Sequence, residues 1–207
     1  MAIPTVKEWT EFVKKYGVDG GAATKAFQAY WNSGASTPKT YLVAYTALET
    51  ALVAYIGKVS KTKKKIKDYE AFEREFMNNY LGQVHKERMD TDRGMATLKT
   101  YQAEIAKFMT MVQKLSKTKS TRENLTKFKQ GPARGLSAMA SRARGLTKEQ
   151  LETLNNITEI VKRVDTIVDR MPAQVTQTQI AGYVEQILEI AHEIATEAKT
   201  GGIVANK

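Results

Sequence analysis

Glu189 and His192 stand three residues apart, a spacing that puts a carboxylate and an imidazole on adjacent turns of one helical face, as in di-iron bundles. A centre of that kind takes a second such step and further inward carboxylates. The only other histidine is His85, and the residue three places before it is Gly82. Glu185, Glu189, His192 and Glu193 are therefore expected to form an exposed polar face, with no metal and no other cofactor. His85, Glu87, Asp90 and Asp92 make a second polar group whose oxygens suit Mg²⁺ or Ca²⁺. Their spacing departs from an EF-hand loop, and Lys86, Arg88 and Arg93 compete for the carboxylates, so solvated ion pairs are expected there. Glu70, Glu73 and Glu75 lie among basic residues and read as helical ion pairs, not as general acids or bases. The glycines Gly17, Gly20 and Gly21 follow a helix and lack the Lys-Ser/Thr ending of a phosphate loop. The chain has no cysteine, which excludes disulfides, thiolate metal sites and cysteine nucleophiles. No catalytic residue is expected, and neither an enzyme activity nor a small-molecule substrate.

Charge is the more informative signal. The 207 residues hold 32 Lys+Arg against 22 Asp+Glu, a formal charge of +10. The excess is uneven. Residues 147–199 carry more acids than bases, and almost all of the positive excess precedes them. Lys58, Lys61, Lys63, Lys64, Lys65 and Lys67 crowd one short stretch. A second basic run includes Lys117, Lys119, Arg122, Lys127, Lys129, Arg134, Arg142 and Arg144, and Glu123 is the one acid between Lys107 and Arg144. Like charges at this density repel unless an anion or an acidic surface screens them. These fourteen residues are the candidate anion-binding set. Neutralising phosphates needs only Lys and Arg within reach of a nucleic-acid backbone, but the basic run holds one aromatic, Phe128, too few to stack bases. A membrane-binding helix should carry large apolar residues opposite its lysines, and the first cluster offers only Val59 and Ile66. Leu136 and Met139, near Arg134, Arg142 and Arg144, give a weaker membrane signal.

The elements that must hold these residues read as helices throughout, since apolar residues recur at three and four and strand alternation is close to absent. Thr5 with Glu8, and Thr147 with Gln150, form capping boxes that open helices. Thr37 and Pro38 supply an N-cap and a first helical residue. Tyr41, Tyr45, Leu48, Leu52, Tyr55 and Val59 keep a regular seam that continues through Ile66, Tyr69, Phe76 and Tyr80, which predicts one long helix from Pro38 to Tyr80 or beyond, bent near Gly57. Gly82 and the polar stretch 90–94 predict a turn, after which Leu98, Tyr101, Ile105, Phe108, Val112 and Leu115 return antiparallel to it. Leu154, Ile157, Val161, Val164, Val168 and Met171, then Ile180, Val184, Ile187, Ala191, Ile194 and Ala198, predict a closing αα-hairpin. Met109 is expected in the core, Met139 at a partner contact.

The fold expected is thus all-α, an elongated helical bundle with a long antiparallel helix pair plus a C-terminal αα-hairpin. Its organisation reads as a basic N-terminal region over 1–115, a basic linker rich in Gly, Ser, Lys and Arg over 116–146, and an acidic hairpin over 147–207. The charge segregation resembles that of membrane-remodelling filament proteins of the ESCRT-III type, and basic helical bundles of the BAR type are a second likeness. No motif residue is carried over from either. The N-terminus has charges and a proline where a secretory signal needs an apolar run, and no window reaches about 18 uninterrupted apolar residues, so a cytoplasmic protein is expected. The function expected is a non-enzymatic helical scaffold that forms homo-oligomers and meets an anionic partner through its basic segments. A sequence-independent nucleic-acid binder and a filament-type protein of anionic membrane surfaces are the alternatives.

Overall fold

A computed structural model describes residues 3–204. Every regular element among them is helical, and the chain belongs to the all-α class. It divides into two compact units, one ending at Met95 and the other beginning at Ala96.

The first unit is organised around aromatic rings. Helices α1 (Val6–Lys15), α2 (Gly21–Trp31) and α3 (Pro38–Val59) are followed by α4 (Tyr69–Phe76) and the start of α5 (Gly82–Lys117). Thr5 opens α1 as expected, its hydroxyl accepting from the Glu8 amide at 3.2 Å while Glu8 accepts from the Thr5 amide at 2.6 Å. Trp9 is fully buried, with the rings of Phe12, Phe27, Tyr55, Phe76 and Tyr80 between 5.1 and 6.2 Å away. Such rings supply much apolar area at little entropic cost, provided their polar tips find partners. They do: Trp9 donates to Thr24 Oγ1 at 3.0 Å, Tyr55 to the Asp19 carbonyl at 2.9 Å and Tyr80 to the Glu8 carbonyl at 3.1 Å. Burial also pushes the Tyr80 phenol up to about 12.

The long helix expected from Pro38 to Tyr80 is not continuous. It stops at Val59 and gives way to a 3-10 turn over Ser60–Lys65. Ser60 and Thr62 turn their hydroxyls back onto the carbonyls of Gly57 and Val59, competing with the next helical turn. Asp68 then takes a left-handed φ of 104°, and its carboxylate caps α4 by accepting from the Ala71 amide at 3.1 Å. The chain reverses at this point. Tyr55 of α3 meets Phe76, and Glu49, earlier in α3, meets His85 and Arg88, later in the return. An antiparallel pair therefore forms inside this unit, with its turn at residues 60–68 and not at 82–94, whereas the segment expected to make the return, residues 98–115, belongs to the core of the second unit.

Residues 82–94 are helical instead. The backbone passes through a π-turn at Met77–Leu81, and a Cβ on Gly82 would lie 2.4 Å from the Met77 carbonyl oxygen. The glycine there accommodates a bulge inside a helical path, not a turn. The polar stretch beyond it contains no proline and pairs along the helix, Gln83 with Glu87 and Arg93 with Asp90.

The second unit comprises the rest of α5 with α6 (Arg122–Phe128), α7 (Arg134–Ser137), α8 (Lys148–Asp169) and α9 (Gln177–Thr200). Residues 116–146, expected as a linker, fold into it. A third capping box, Thr121 with Asn124, opens α6. The π-turn Lys129–Ala133 accommodates Pro132, whose missing N–H and bulky ring an ordinary helical turn would not accept. Leu125, Phe128, Ala133 and Leu136 are all buried in the core that also holds the α8 and α9 seams, and Phe128 lies 5.0 Å from Phe108 of α5. The expected boundaries at 115/116 and 146/147 thus fall inside one unit. Met109 and Met139 are both partly buried against this core.

Helices α8 and α9 form the antiparallel hairpin. Asn156 bonds Glu197 at 2.8 Å and Arg163 bonds Glu193 at 2.5 Å, so the numbering runs in opposite directions along the two arms. Thr147 and Thr176 cap them with Gln150 and Gln179. The arms close so tightly on Gly201 that a Cβ there would lie 2.0 Å from the buried Thr153 hydroxyl.

Candidate anion-binding surface

The lysine cluster occupies the reversal between α3 and α4. Val59 is buried and Ile66 packs half-buried against the aromatic core, which fixes the ends of the turn. The Ile66 amide donates to the Lys63 carbonyl at 3.1 Å. Lys58, Lys61, Lys63, Lys64, Lys65 and Lys67 are all exposed. None of the six takes part in an ion pair among the described residues.

The reason lies in what the neighbouring acids do. Asp68 caps α4. Glu73 accepts from the Tyr69 hydroxyl at 3.0 Å. Glu75 accepts from Lys15 Nζ at 2.6 Å and from the Tyr16 hydroxyl at 2.7 Å. Burial works against ionisation of Glu75, but the hydrogen bonds from Lys15 and Tyr16 outweigh it and hold the carboxyl below its ordinary value. Only Glu70 remains exposed and uncommitted beside the turn.

The second basic run is a different case. Arg122 donates to the carbonyls of Met171 and Ala173 just beyond the end of α8, where unsatisfied carbonyls collect. Lys127 pairs with Glu123 at 2.6 Å, and Lys129, itself mostly buried, pairs with Asp169 at 2.5 Å. Arg144 donates to the Ala143 carbonyl. Lys117, Lys119 and Arg134 are exposed and make no ion pair among the described residues, whereas Arg142 lines a cavity beside α5. The structure thus divides the fourteen candidate residues into an unpaired lysine turn and a run that is partly committed to its own unit.

The polar groups around the histidines hold no metal-type arrangement. Among the described residues no three His, Asp or Glu side chains converge as metal ligands. His192 is exposed, and Glu193 on its face pairs with Arg163. His85 leaves its expected neighbours and meets Glu49 at 2.6 Å, with Arg88 bonding the other carboxylate oxygen. Burial opposes ionisation of Glu49, and the bonds from His85 and Arg88 prevail, holding its carboxyl low. Sequence reading missed this pair. Its available signal was that Glu49 is the lone charge between Lys39 and Lys58, so an acid on so apolar a helix needed a cationic partner.

The outer side of α3 is the other unusual surface. The stretch Pro38–Lys65 is long and apolar enough to cross a membrane by length and composition, with a mean hydropathy of 1.3 over its best window, yet only a third of that window is buried. Val43 is 67% and Val53 53% exposed. Thr46 and Thr50 return their hydroxyls to the carbonyls of Leu42 and Thr46, which removes donors from this face.

No family model matches the chain, and no curated protein or solved structure matches it either.

Proposed function

We propose that this protein is a non-enzymatic helical scaffold that presents its lysine turn to the phosphate backbone of a nucleic acid without reading the bases. The observation that carries the reading is the set of six exposed lysines in residues 58–67, none paired with an acid among the described residues. Ammonium groups in this state gain by displacing condensed counterions from a polyanion, and that gain needs no base contact. The turn's apolar residues favour nucleic acid over a bilayer. Val59 is buried and Ile66 faces the core, so the turn has no large side chain to insert among lipids. Tyr69, the first ring after the turn in sequence, packs toward Phe72, which supports backbone contact over base stacking.

The test is fluorescence anisotropy at low salt with labelled duplexes of two unrelated sequences and with single-stranded DNA. Both duplexes should bind with similar affinity, and replacing Lys61, Lys63, Lys64 and Lys65 with Gln should remove most of it. Absence of binding at low salt refutes the proposal, as does binding to anionic vesicles in its place.

A second reading, self-association, is favoured by the outer side of α3. A second copy of the chain would cover Val43 and Val53, and because that contact is apolar it should survive salt that screens charge-driven assembly. Light scattering tests it: Val43→Glu with Val53→Glu should yield a monomer, and a wild-type chain that is monomeric at every salt concentration refutes it.

A further inference from the structure

A cavity of about 390 Å³ lies in the second unit, between α5 and the segment that carries α7 and the 3-10 turn Ala140–Arg142. That volume falls within the range of small-ligand sites. Its walls include Tyr101, Glu104 and Lys107 of α5, facing Gly135, Met139 and Arg142. Three features set it apart from an ordinary surface crevice.

Glu104, Lys107 and Arg142 all border the same space, yet none of them makes an ion pair among the described residues. The Tyr101 hydroxyl is the one fully buried side-chain polar atom among the described residues that has no hydrogen-bond partner, although the residue is only 2% exposed. A buried donor without an acceptor costs free energy, so native chains seldom leave one without a reason. Burial pushes this phenol up to about 12, which keeps the proton on the oxygen. Finally, Gly135 leaves room: a Cβ there would come within 3.2 Å of Glu104 Oε2. The two threonines of the wall have already used their hydroxyls, Thr97 on the Arg144 carbonyl and Thr100 on the Ala96 carbonyl.

We infer that this cavity binds a small zwitterionic molecule, its phosphate or carboxylate held by Lys107 and Arg142 and its ammonium group by Glu104. The planar guanidinium fork suits a two-oxygen anion, and the Tyr101 hydroxyl, shut off from solvent behind the wall and without a partner, is a neutral donor that a small shift of the wall on binding would bring to an acceptor on the ligand. A lone anion would meet the Glu104 carboxylate, and a lone cation would meet Lys107 and Arg142, so each half of the ligand is selected by the charge that repels the other. The site is independent of the lysine turn and of the nucleic-acid reading.

The test is calorimetric titration of the whole chain with phosphoethanolamine and γ-aminobutyrate, beside inorganic phosphate and ethanolamine as half-ligands. One zwitterion should bind at one site per chain and raise the melting temperature, and each half-ligand should bind more weakly. Arg142→Gln and Glu104→Gln should each weaken it by about tenfold, the scale of one charge-assisted bond. Tyr101→Phe should weaken binding while leaving the melting temperature unchanged or higher, since no protein hydrogen bond is lost; a merely structural tyrosine would leave binding untouched. Failure of both zwitterions to bind in the millimolar range overturns the inference, as does binding that is indifferent to Arg142→Gln or inorganic phosphate binding as tightly as phosphoethanolamine.

Discussion

Replacing Lys61, Lys63, Lys64 and Lys65 with Gln should change how affinity for duplex DNA depends on salt, and the size of that change follows from the count of free lysines. Each phosphate neutralised contributes about −0.9 to the slope of log affinity against log salt. Six unpaired lysines in contact give a slope of about −5.4, and the two that survive give about −1.8. Between about 50 and 200 mM salt the wild-type affinity should therefore fall roughly 2,000-fold, and that of the variant only about twelvefold. Folding should be little disturbed, because exposed side chains without partners move stability by no more than about 0.5 kcal/mol when replaced. Lys127→Gln with Lys129→Gln is the control. Those lysines are paired with Glu123 and Asp169 inside their own unit, so their removal should leave the slope as it was. Anisotropy titrations at four or more salt concentrations give the slopes directly. An unchanged slope in the turn variant, or an equal loss in the control, would refute the assignment of contacts to the turn.

Glycine replacements should differ in sign according to the space around each. Gly201→Ala forces a Cβ onto Thr153 and should cost about 1–3 kcal/mol in urea denaturation, whereas Gly57→Ala, helical with nothing within 4 Å, should add about 0.5–1 kcal/mol. Asp68→Ala removes the cap of α4 while keeping a left-handed φ, for a loss of about 1–2 kcal/mol; Asp68→Gly loses the cap but relieves the backbone, and its thermal melt should fall between that variant and the wild type. Glu49 has a carboxyl held below its ordinary value of 4.5 in the folded state, so its contribution is present above that value and is lost as pH falls through the lower folded one. Glu49→Gln should thus flatten the acid limb of a stability-versus-pH curve and cost about 1 kcal/mol at neutral pH, since Arg88 is left half-buried.

Most of the helical content was legible because seams and caps agree. The seams of α8 and α9, the boxes at Thr5 and Thr147 and the N-cap at Thr37 all describe what the chain does. Continuity was the harder property. The count that joins Val59 to Ile66 and Tyr69 is preserved because all three face the same core, yet the helix between them is broken, so a seam reports burial and not an unbroken backbone. Gly82 and Pro132 failed in the opposite direction. Both read as punctuation, but Pro132 lies inside a π-turn and Gly82 directly follows one, and a three-four pattern does not describe such turns. Leu125, Phe128, Pro132 and Leu136 do keep helical spacing, but the surrounding lysines and arginines hid it. The cavity had no sequence signal, because Tyr101 belongs to an ordinary seam and Arg142 lies 41 residues further along. Only folding brings them to one space.

The two basic segments have similar composition and different standing, and the difference is where their acids are. A lysine beside a free carboxylate is neutralised locally, as Lys129 is by Asp169, and it has little to offer a partner beyond what it would give up. At the turn three of the nearby carboxylates are already engaged, in a cap at Asp68, with a phenol at Glu73 and with Lys15 and Tyr16 at Glu75, and Glu70 alone is left against six lysines. The turn cannot relieve its own repulsion by rearranging, because Val59 and Ile66 anchor both of its ends in the aromatic core. Relief must come from outside, from salt or from a polyanion. Charge density alone therefore does not single out the proposed interface; what singles it out is positive charge that exceeds the countercharge the fold leaves beside it.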